Sequence, residues 1–378
     1  MLKYCYKYNF ISEDYMKEYK ICVYCICKNE SKFVDRFMDS LEEIKDHIYV
    51  LDTGSTDNTV ELFKKRNAHV FEKKYEHFKF DEARNDALNL VPDDYEICIS
   101  LDIDDVIQKG FVSAINKVWD DDTKQLEYTY YYALDEYDNP TVIQRINKIH
   151  ARKGFYWEYP VHEVLRYDGI NIKKKYTDDI LVIHKPDIYK SRAFYLDLLE
   201  ERVNQYPNDL RNIFLLAREY KRIGKYFEGI KMCHRYLELS TSLYSGERVK
   251  VKCLLAYMFR HLRMFEESEL WANKALEERK DSRAPYYEKV LTYYESKRYE
   301  DLIEAGNEAL KISMYNSEIM DDAGCWNGSI PDYMSLAFYQ LKDYENAIKY
   351  IDITLKQNPN NERLKKNKEL YLSKINSK

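Results

Sequence analysis

The stretch EICISLDIDD, residues 96–105, decides the fold of the first half of the chain. Its apolar part, residues 97–101, predicts a buried strand, because short apolar runs are typical of strands covered on both faces. Asp102, Asp104 and Asp105 follow at once, and such close carboxylates repel one another unless a cation neutralises them. Since Mg²⁺ commonly uses one or two carboxylates together with substrate phosphates, the stretch indicates a metal site. An acidic turn that merely ends a strand explains the same residues without a metal.

The composition is that of a globular chain without an excess of basic residues. Its 378 residues suffice for two or three domains, and its formal net charge of −6 argues against nucleic acid and anionic membranes as partners. The first twenty residues lack the apolar core of a signal peptide, and no apolar run approaches the roughly 18 residues of a membrane span. The 8 cysteines are spread along the chain, which predicts free thiols in a reducing, cytoplasmic compartment.

Apolar runs and helical periodicities alternate through the first hundred residues. Strands are expected at residues 21–27, 47–51, 68–71 and 97–101, with helices between them. This order predicts βαβ units and an α/β fold with a mainly parallel sheet. Ligands of such sheets bind beyond the carboxyl ends of the strands, where Glu30, Asp52 and Asp102 stand. The motifs G-x-G-x-x-G and G-x-x-x-x-G-K are absent from the sequence, which excludes the dinucleotide and P-loop ways of holding phosphate.

Four short blocks in this region resemble those of the family 2 glycosyltransferases, which have the GT-A fold. The blocks are Lys28-Asn29-Glu30, residues 52–57 (DTGSTD), Ala83-Arg84-Asn85 and residues 101–105 (LDIDD). The resemblance implies a Rossmann-like GT-A catalytic domain that transfers a sugar with inversion from a nucleotide-sugar, most often a UDP-sugar, with Mn²⁺ or Mg²⁺. Two positions depart from the family pattern: Asp105 stands where relatives often have Glu, and Phe78 stands where many have Trp.

The resemblance also implies roles for individual residues of these blocks. Asp52 would hold the base of the nucleotide, and Glu30 would lie beside it at the end of the first strand. Arg84 would brace the acidic cluster or the pyrophosphate. Asp102 would face the ribose, and Asp104 would bind the metal ion.

A later part of the chain completes this implied site. Trp157 and the pair His162-Glu163 resemble a Trp…Val-His-Glu block that follows the D-x-D region in this group. The resemblance implies that Glu163 is the general base, that His162 positions it or the acceptor, and that Trp157 stacks on a sugar or acceptor. His184 matches the late histidine that binds the metal in many GT-A enzymes, and an imidazole suits Mn²⁺ beside a carboxylate. A surface His-Glu pair and a histidine that ends an edge strand explain the same residues without a function.

From about residue 208 the strand signals end and the chain repeats. Aromatic anchors lie 39, 34 and 45 residues apart, at Tyr226, Phe265, Tyr299 and Tyr344. The tetratricopeptide repeat has a period of 34 residues, with small residues where its two helices touch. We therefore predict four degenerate tetratricopeptide-like units with two insertions, the larger over residues 314–331. Such units form one all-α solenoid, because each buries its apolar face only against its neighbours.

The domain boundaries and partners follow from these patterns. We expect an N-terminal extension over residues 1–20, the GT-A domain over residues 21–190 and the repeat domain over residues 191–378. The expected partners are a nucleotide-sugar donor, a protein, peptide or glycan acceptor, and a second copy of the chain bound through the repeats. Two other functions stay open. One is a nucleotidyltransferase, which usually carries a Gly-rich basic loop after the first strand, and the other is a catalytically inactive protein whose repeats bind partners.

Overall fold

The computed structural model describes residues 17–135, 138–187, 194–314 and 323–376. Most of the predicted extension, residues 1–16, and part of the larger insertion, residues 315–322, lie outside the described residues. The chain divides into two compact units, Met1–Arg192 (unit 1) and Ala193–Lys378 (unit 2). Within the described ranges, no helix is both long and apolar enough to cross a membrane.

Unit 1 alternates strands and helices in its first half, as predicted. Its strands are β1 Ile21–Cys27, β2 Ile48–Asp52, β3 His69–Glu72, β4 Ile97–Ser100, β5 Asp105–Ile107, β6 Gln125–Leu134, β7 Pro140–Ala151, β8 Phe155–Glu158, β9 Val164–Tyr167 and β10 Lys174–His184. Its α-helices are α1 Ser31–Ser40, α2 Thr59–Lys65, α3 Phe80–Asn89 and α4 Phe111–Val118.

Eight of these strands form one sheet, in the order β3-β2-β1-β4-β7-β6-β10-β5. The pairs β1–β2, β1–β4, β2–β3 and β6–β10 are parallel, whereas β7 runs antiparallel to β4 and β6, and β5 runs antiparallel to β10. Strands β8 and β9 form a separate hairpin. The predicted α/β fold with a mainly parallel sheet is confirmed. The carboxyl ends of β1, β2 and β4 meet at one edge, where ligands of such sheets bind.

The central strands are covered on both faces, which explains why they read as continuous apolar runs. Val23 and Cys25 of β1 pack into the core that contains α1. Cys22 and Tyr24 point to the opposite face, because side chains alternate along a strand, and pack with α3 and Trp157. This packing holds the strand that leads into the acidic turn from both sides.

Unit 2 is helical throughout its described residues, and the predicted all-α tetratricopeptide-like solenoid is confirmed. Its α-helices are α5 Phe194–Gln205, α6 Leu210–Arg222, α7 Tyr226–Leu239, α8 Ser245–His261, α9 Phe265–Glu278, α10 Ala284–Glu295, α11 Tyr299–Lys311, α12 Ser329–Gln340, α13 Tyr344–Gln357 and α14 Glu362–Asn376. The four aromatic anchors are the first residues of α7, α9, α11 and α13. Each of these helices packs against the helix before it in the chain.

The four units share one turn geometry before each anchor. Two residues ahead of the anchor the backbone is left-handed, with φ of 76° at Gly224, 63° at Arg263, 61° at Lys297 and 60° at Lys342. A left-handed residue commonly ends a helix, so each turn stops one helix and starts the next. Gly229 shows why small residues are needed between helices, since a Cβ there would lie 2.5 Å from Sδ of Met258.

Candidate active site

Strands β5 and β10 bring the two predicted metal ligands together. Their antiparallel register sets His184 opposite Asp105, and Nε2 of His184 lies 3.4 Å from Oδ2 of Asp104. Donor atoms of all three residues lie within 4.8 Å of one another. Nδ1 of His184 lies 3.2 Å from the carbonyl oxygen of Tyr132, and a hydrogen bond donated there leaves the Nε2 lone pair for a metal. This set of oxygen and nitrogen donors fits Mn²⁺ and, through its carboxylates, Mg²⁺.

The electrostatics of this cluster favour a positive charge. Burial disfavours the charged form of His184, but the hydrogen bond and charge of Asp104, with the charge of Asp105, outweigh burial and raise the pKa of His184. The same negative charges attract a metal cation, which competes with the proton for the Nε2 lone pair of His184.

Asp105 is more enclosed than Asp104 and holds the turn together. It is fully buried, its Oδ1 accepts from the Tyr130 hydroxyl at 2.7 Å, and its Oδ2 accepts from the Asp102 N–H at 3.0 Å. Burial, together with the charge of Asp102, raises the pKa of Asp105 to about 6. Asp104 is therefore better placed than Asp105 to bind a metal ion, because both oxygens of Asp105 already accept hydrogen bonds within the protein.

Arg84 joins the acidic turn to the predicted base. Helix α3 carries it into a buried position, with 5% of the residue exposed. Its Nη2 donates to Oδ1 of Asp102 at 2.5 Å, and its Nε donates to Oε1 of Glu163. Lys148 of β7 donates from Nζ to the other oxygen of Asp102, Oδ2, at 3.0 Å. Two cations and two carboxylates thus alternate in one chain of ion pairs.

Both oxygens of Asp102 are held by protein cations, although the resemblance implied that this residue faces a ribose. Burial opposes the ionisation of Asp102, but Arg84 and Lys148 outweigh burial and hold its pKa well below its usual range. Sequence analysis missed Lys148, because a single lysine in a polar strand looks like any solvated lysine. The pairing of β7 with β4, which no local pattern predicts, sets it beside the acidic turn.

The block Ala83-Arg84-Asn85 fastens α3 to strand β8. The Asn85 amide donates to the Trp157 carbonyl oxygen at 2.8 Å and accepts from the Trp157 N–H at 2.7 Å. The Trp157 residue is only 3% exposed, and its ring centroid lies 5.1 Å from the guanidinium carbon of Arg84. A ring this buried packs against Arg84 and has no face open to a sugar. This differs from the prediction that Trp157 stacks on a sugar or acceptor.

A buried chain of polar groups lies beside Trp157. The indole Nε1 donates to the Tyr24 hydroxyl at 2.8 Å, this hydroxyl lies 2.9 Å from Nε2 of His150, and Nδ1 of His150 lies 2.8 Å from the Ala151 carbonyl oxygen. An indole only donates and a carbonyl only accepts, so one neutral tautomer of His150 satisfies the whole chain. Burial lowers the pKa of His150 to about 4.

We expect acid to weaken unit 1 through His150. Its folded pKa of about 4 lies below the ordinary value of about 6.5, so the unfolded chain binds the proton more tightly. The contribution of His150 to the free energy of unfolding therefore falls as pH drops from about 6.5 to about 4, by on the order of 3 kcal/mol. Urea unfolding of fluorotryptophan-labelled protein, followed by ¹⁹F NMR of Trp157, measures this slope.

The variant His150→Gln isolates the effect, because it removes the titrating group whatever it does to stability at neutral pH. Its unfolding free energy should vary less with pH than that of the wild type across this window. Parallel curves for His150→Gln and the wild type would refute the assignment.

The turn between β8 and β9 presents Glu163 and His162. The backbone of His162 is left-handed, with φ of 54°, and the N–H of Phe80 donates to the Pro160 carbonyl oxygen at 3.0 Å, which fastens the turn to α3. Arg84 holds Oε1 of Glu163, and Oε2 has no hydrogen-bond partner among the described residues. The exposed fraction of the Glu163 side chain is 13%. A carboxylate with one oxygen fixed and the other unpaired can accept a proton, and the role of Glu163 as general base stays a prediction.

Asp52 and Glu30 form a separate group, at the ends of β2 and β1. Oδ1 of Asp52 accepts from the N–H groups of Gly54 and Ser55 at 2.9 and 2.8 Å, and its Oδ2 accepts from the Ser55 hydroxyl. Gly54 has φ of 109°, which strains any residue with a Cβ. The N–H of Glu30 donates to the Thr59 hydroxyl at 2.8 Å. These bonds build the turn that follows β2, and the predicted contact of Asp52 with a nucleotide base stays a prediction.

Comparison with known proteins gives a family match in the first half of the chain. Residues 22–181 match the family model described as Glycosyl transferase family 2. The matched residues lie within the α/β domain of unit 1, which is therefore similar to the family 2 glycosyltransferases. No curated protein sequence matches the chain.

Three similar solved structures each cover less than half of this chain. One is MamA, with 15% identity over 43% of this chain and 86% of that one, at a TM-score of 0.36. Another is PilF from Pseudomonas aeruginosa, with 18% identity over 44% of this chain and 69% of that one, at a TM-score of 0.37. The Cut9-Hcn1 hetero-tetramer of APC/C shows 13% identity over 48% of this chain and 33% of that one, at a TM-score of 0.39.

Proposed function

We propose that unit 1 transfers a sugar, with inversion, from a nucleotide-sugar, in the first instance a UDP-sugar, to an acceptor hydroxyl. The observation that carries this proposal is the pairing of two groups around Asp102. On one side stand Asp104 and His184, whose facing atoms are 3.4 Å apart. On the other side Arg84 holds one oxygen of Glu163. Asp102 accepts a hydrogen bond from Arg84, and its own N–H donates to the side chain of Asp105, the neighbour of Asp104.

The chemistry of inverting transfer needs these two groups. The acceptor oxygen bonds to the anomeric carbon on the face opposite the diphosphate, while Oε2 of Glu163 takes the hydroxyl proton. The bond from the anomeric carbon to the diphosphate oxygen breaks, and its electron pair leaves with the nucleoside diphosphate. Mn²⁺ or Mg²⁺, held by Asp104 and His184, would supply positive charge for the leaving diphosphate. Arg84 keeps Glu163 oriented, which lowers the entropy lost on reaching the reactive geometry.

We assign a binding role to unit 2. Tetratricopeptide-like solenoids present extended surfaces, so we propose that the repeats bind a protein, peptide or glycan acceptor, or a second copy of the chain. The nucleotidyltransferase alternative is less favoured, because residues 28–31 after β1 are not a Gly-rich basic loop. The inactive-protein alternative is less favoured because Glu163, Asp104 and His184 are all present, with Glu163 beside Arg84 and His184 beside Asp104.

A thermal-shift screen tests the proposal with the full chain. UDP-, GDP- and CMP-sugars are added with and without Mn²⁺, and a ligand present at about 100 times its Kd raises the unfolding free energy by about 2.7 kcal/mol. We expect one nucleotide class to raise the unfolding midpoint by about 5–10 °C in the presence of Mn²⁺. If no nucleotide-sugar shifts the midpoint, the proposed function fails.

A further inference from the structure

Lys148 occupies a place in the sheet that gives it access to the acidic turn. Strand β7 pairs antiparallel with β4, with Ile149 opposite Ile99, so the preceding residue lies where β4 ends. The Lys148 side chain is 22% exposed, and its Nζ lies 3.0 Å from Oδ2 of Asp102. The Asp102 side chain is 34% exposed and already pairs with Arg84, so Lys148 is its second counterion. A lysine that was merely solvated would extend its ammonium group into water.

The contacts of Asp102 extend this ion pair to the proposed base. Arg84 donates to the second oxygen of Asp102 and, through another nitrogen, to Glu163. The order is ammonium, carboxylate, guanidinium, carboxylate, which we call the Lys148–Glu163 chain. Each link is a hydrogen-bonded ion pair of 2.5 to 3.0 Å, and the charges of the four groups balance.

This balance of charges affects how Arg84 is shared between Asp102 and Glu163. The Arg84 side chain is only 6% exposed, and Asp102 and Glu163 both depend on it. Burial disfavours the charge of Lys148, but the charge of Asp102 outweighs this and raises the pKa of Lys148. Lys148 therefore stays charged and, together with Arg84, neutralises the charge of Asp102. Without it, a partly buried carboxylate would draw Arg84 toward itself and away from Glu163.

We propose that Lys148 is a positioning residue for the base, acting through Asp102 and Arg84 on the orientation of Glu163. This inference rests on the proposed function, in which Glu163 takes the acceptor proton. It assigns no contact between Lys148 and the substrate. Its consequence is kinetic: Lys148 affects the transfer step and leaves binding of the donor nearly unchanged.

The test is steady-state kinetics of the full chain with the donor found in the screen. Lys148→Met keeps an unbranched side chain one heavy atom shorter and removes its charge, and we expect kcat to fall about 10- to 100-fold, as for a small misplacement of a catalytic group. The donor KM should stay within about threefold of wild type. Lys148→Arg should recover most of kcat. Lys175→Met is the matched control, because Lys175 is also a strand lysine paired with a carboxylate, Asp120, at 2.7 Å, and it should match wild type.

A double-variant cycle shows whether Lys148 acts through Glu163. In the Glu163→Gln background, Lys148→Met should cause no further loss of kcat, because the group that it positions is already gone. A further loss in that background, wild-type kcat in Lys148→Met, or no recovery in Lys148→Arg would each overturn the inference. If the wild type turns over no donor, the proposed function falls and this role of Lys148 with it. If the wild type is active and Lys148→Met matches it, only this inference falls.

Discussion

Asp104→Ala is expected to abolish metal-dependent binding of the nucleotide-sugar while leaving unit 1 folded. Asp104 and His184 are the best-placed donors of the cluster, and removal of one carboxylate leaves the imidazole and the enclosed Asp105. Even groups that only support metal ligands account for about 10- to 100-fold in affinity, so loss of a ligand should weaken Mn²⁺ binding more than about 100-fold. Isothermal titration of Mn²⁺ with UDP present measures this loss.

The fold should survive, because among the described residues the Asp104 side chain forms a close polar pair only with His184. The backbone bond from the Lys185 N–H to the Asp104 carbonyl oxygen, 2.9 Å long, stays in the variant. Asp179→Ala is the matched control, since Asp179 lies on the same strand as His184 and pairs with Lys117 at 3.3 Å on the surface. Equal Mn²⁺ affinity in wild type and Asp104→Ala would remove Asp104 from the metal site.

The sheet and its acidic turn were predictable because both depend on local patterns. A buried strand between two others has to be apolar on both faces, which marks β1, β2 and β4 in the sequence. Parallel strands joined by helices then align their carboxyl ends by topology alone. The repeats of unit 2 were predictable for a similar reason, since Tyr226 and its equivalents recur at fixed places relative to the helix starts.

The contacts within the site were less predictable, because they depend on packing between distant segments. Lys148 reaches Asp102 only because β7 pairs with β4 in one register, and a shift by one residue would turn the lysine to the other face. Trp157 was expected to be open to a sugar, yet its ring packs in the core with Cys22 and Tyr24, and the Asn85 side chain holds its backbone. Aromatic residues serve equally well in a core and in a binding groove, so composition alone does not separate these uses.

Glu163→Gln is expected to lower kcat by about 10³-fold while the donor still binds. General-base catalysis contributes about 10²- to 10⁴-fold, and an amide of the same shape cannot take the acceptor proton. Its carbonyl oxygen can still accept the hydrogen bond from Nε of Arg84, so the Lys148–Glu163 chain should keep its geometry. Single-turnover transfer, measured beside donor affinity by titration, separates loss of chemistry from loss of binding.

Glu158→Gln provides a control for charge removal in the same hairpin. Glu158 pairs with Arg166 at 2.9 Å, and the two side chains are 37% and 46% exposed. Its pairing with an arginine resembles that of Glu163, but Oε1 of Glu163 faces a buried guanidinium that is shared with Asp102. Exposed pairs contribute about 0–1 kcal/mol, so Glu158→Gln should keep nearly wild-type kcat. If both variants lost kcat equally, the loss would come from the charge of the hairpin, and another group would have to serve as the base.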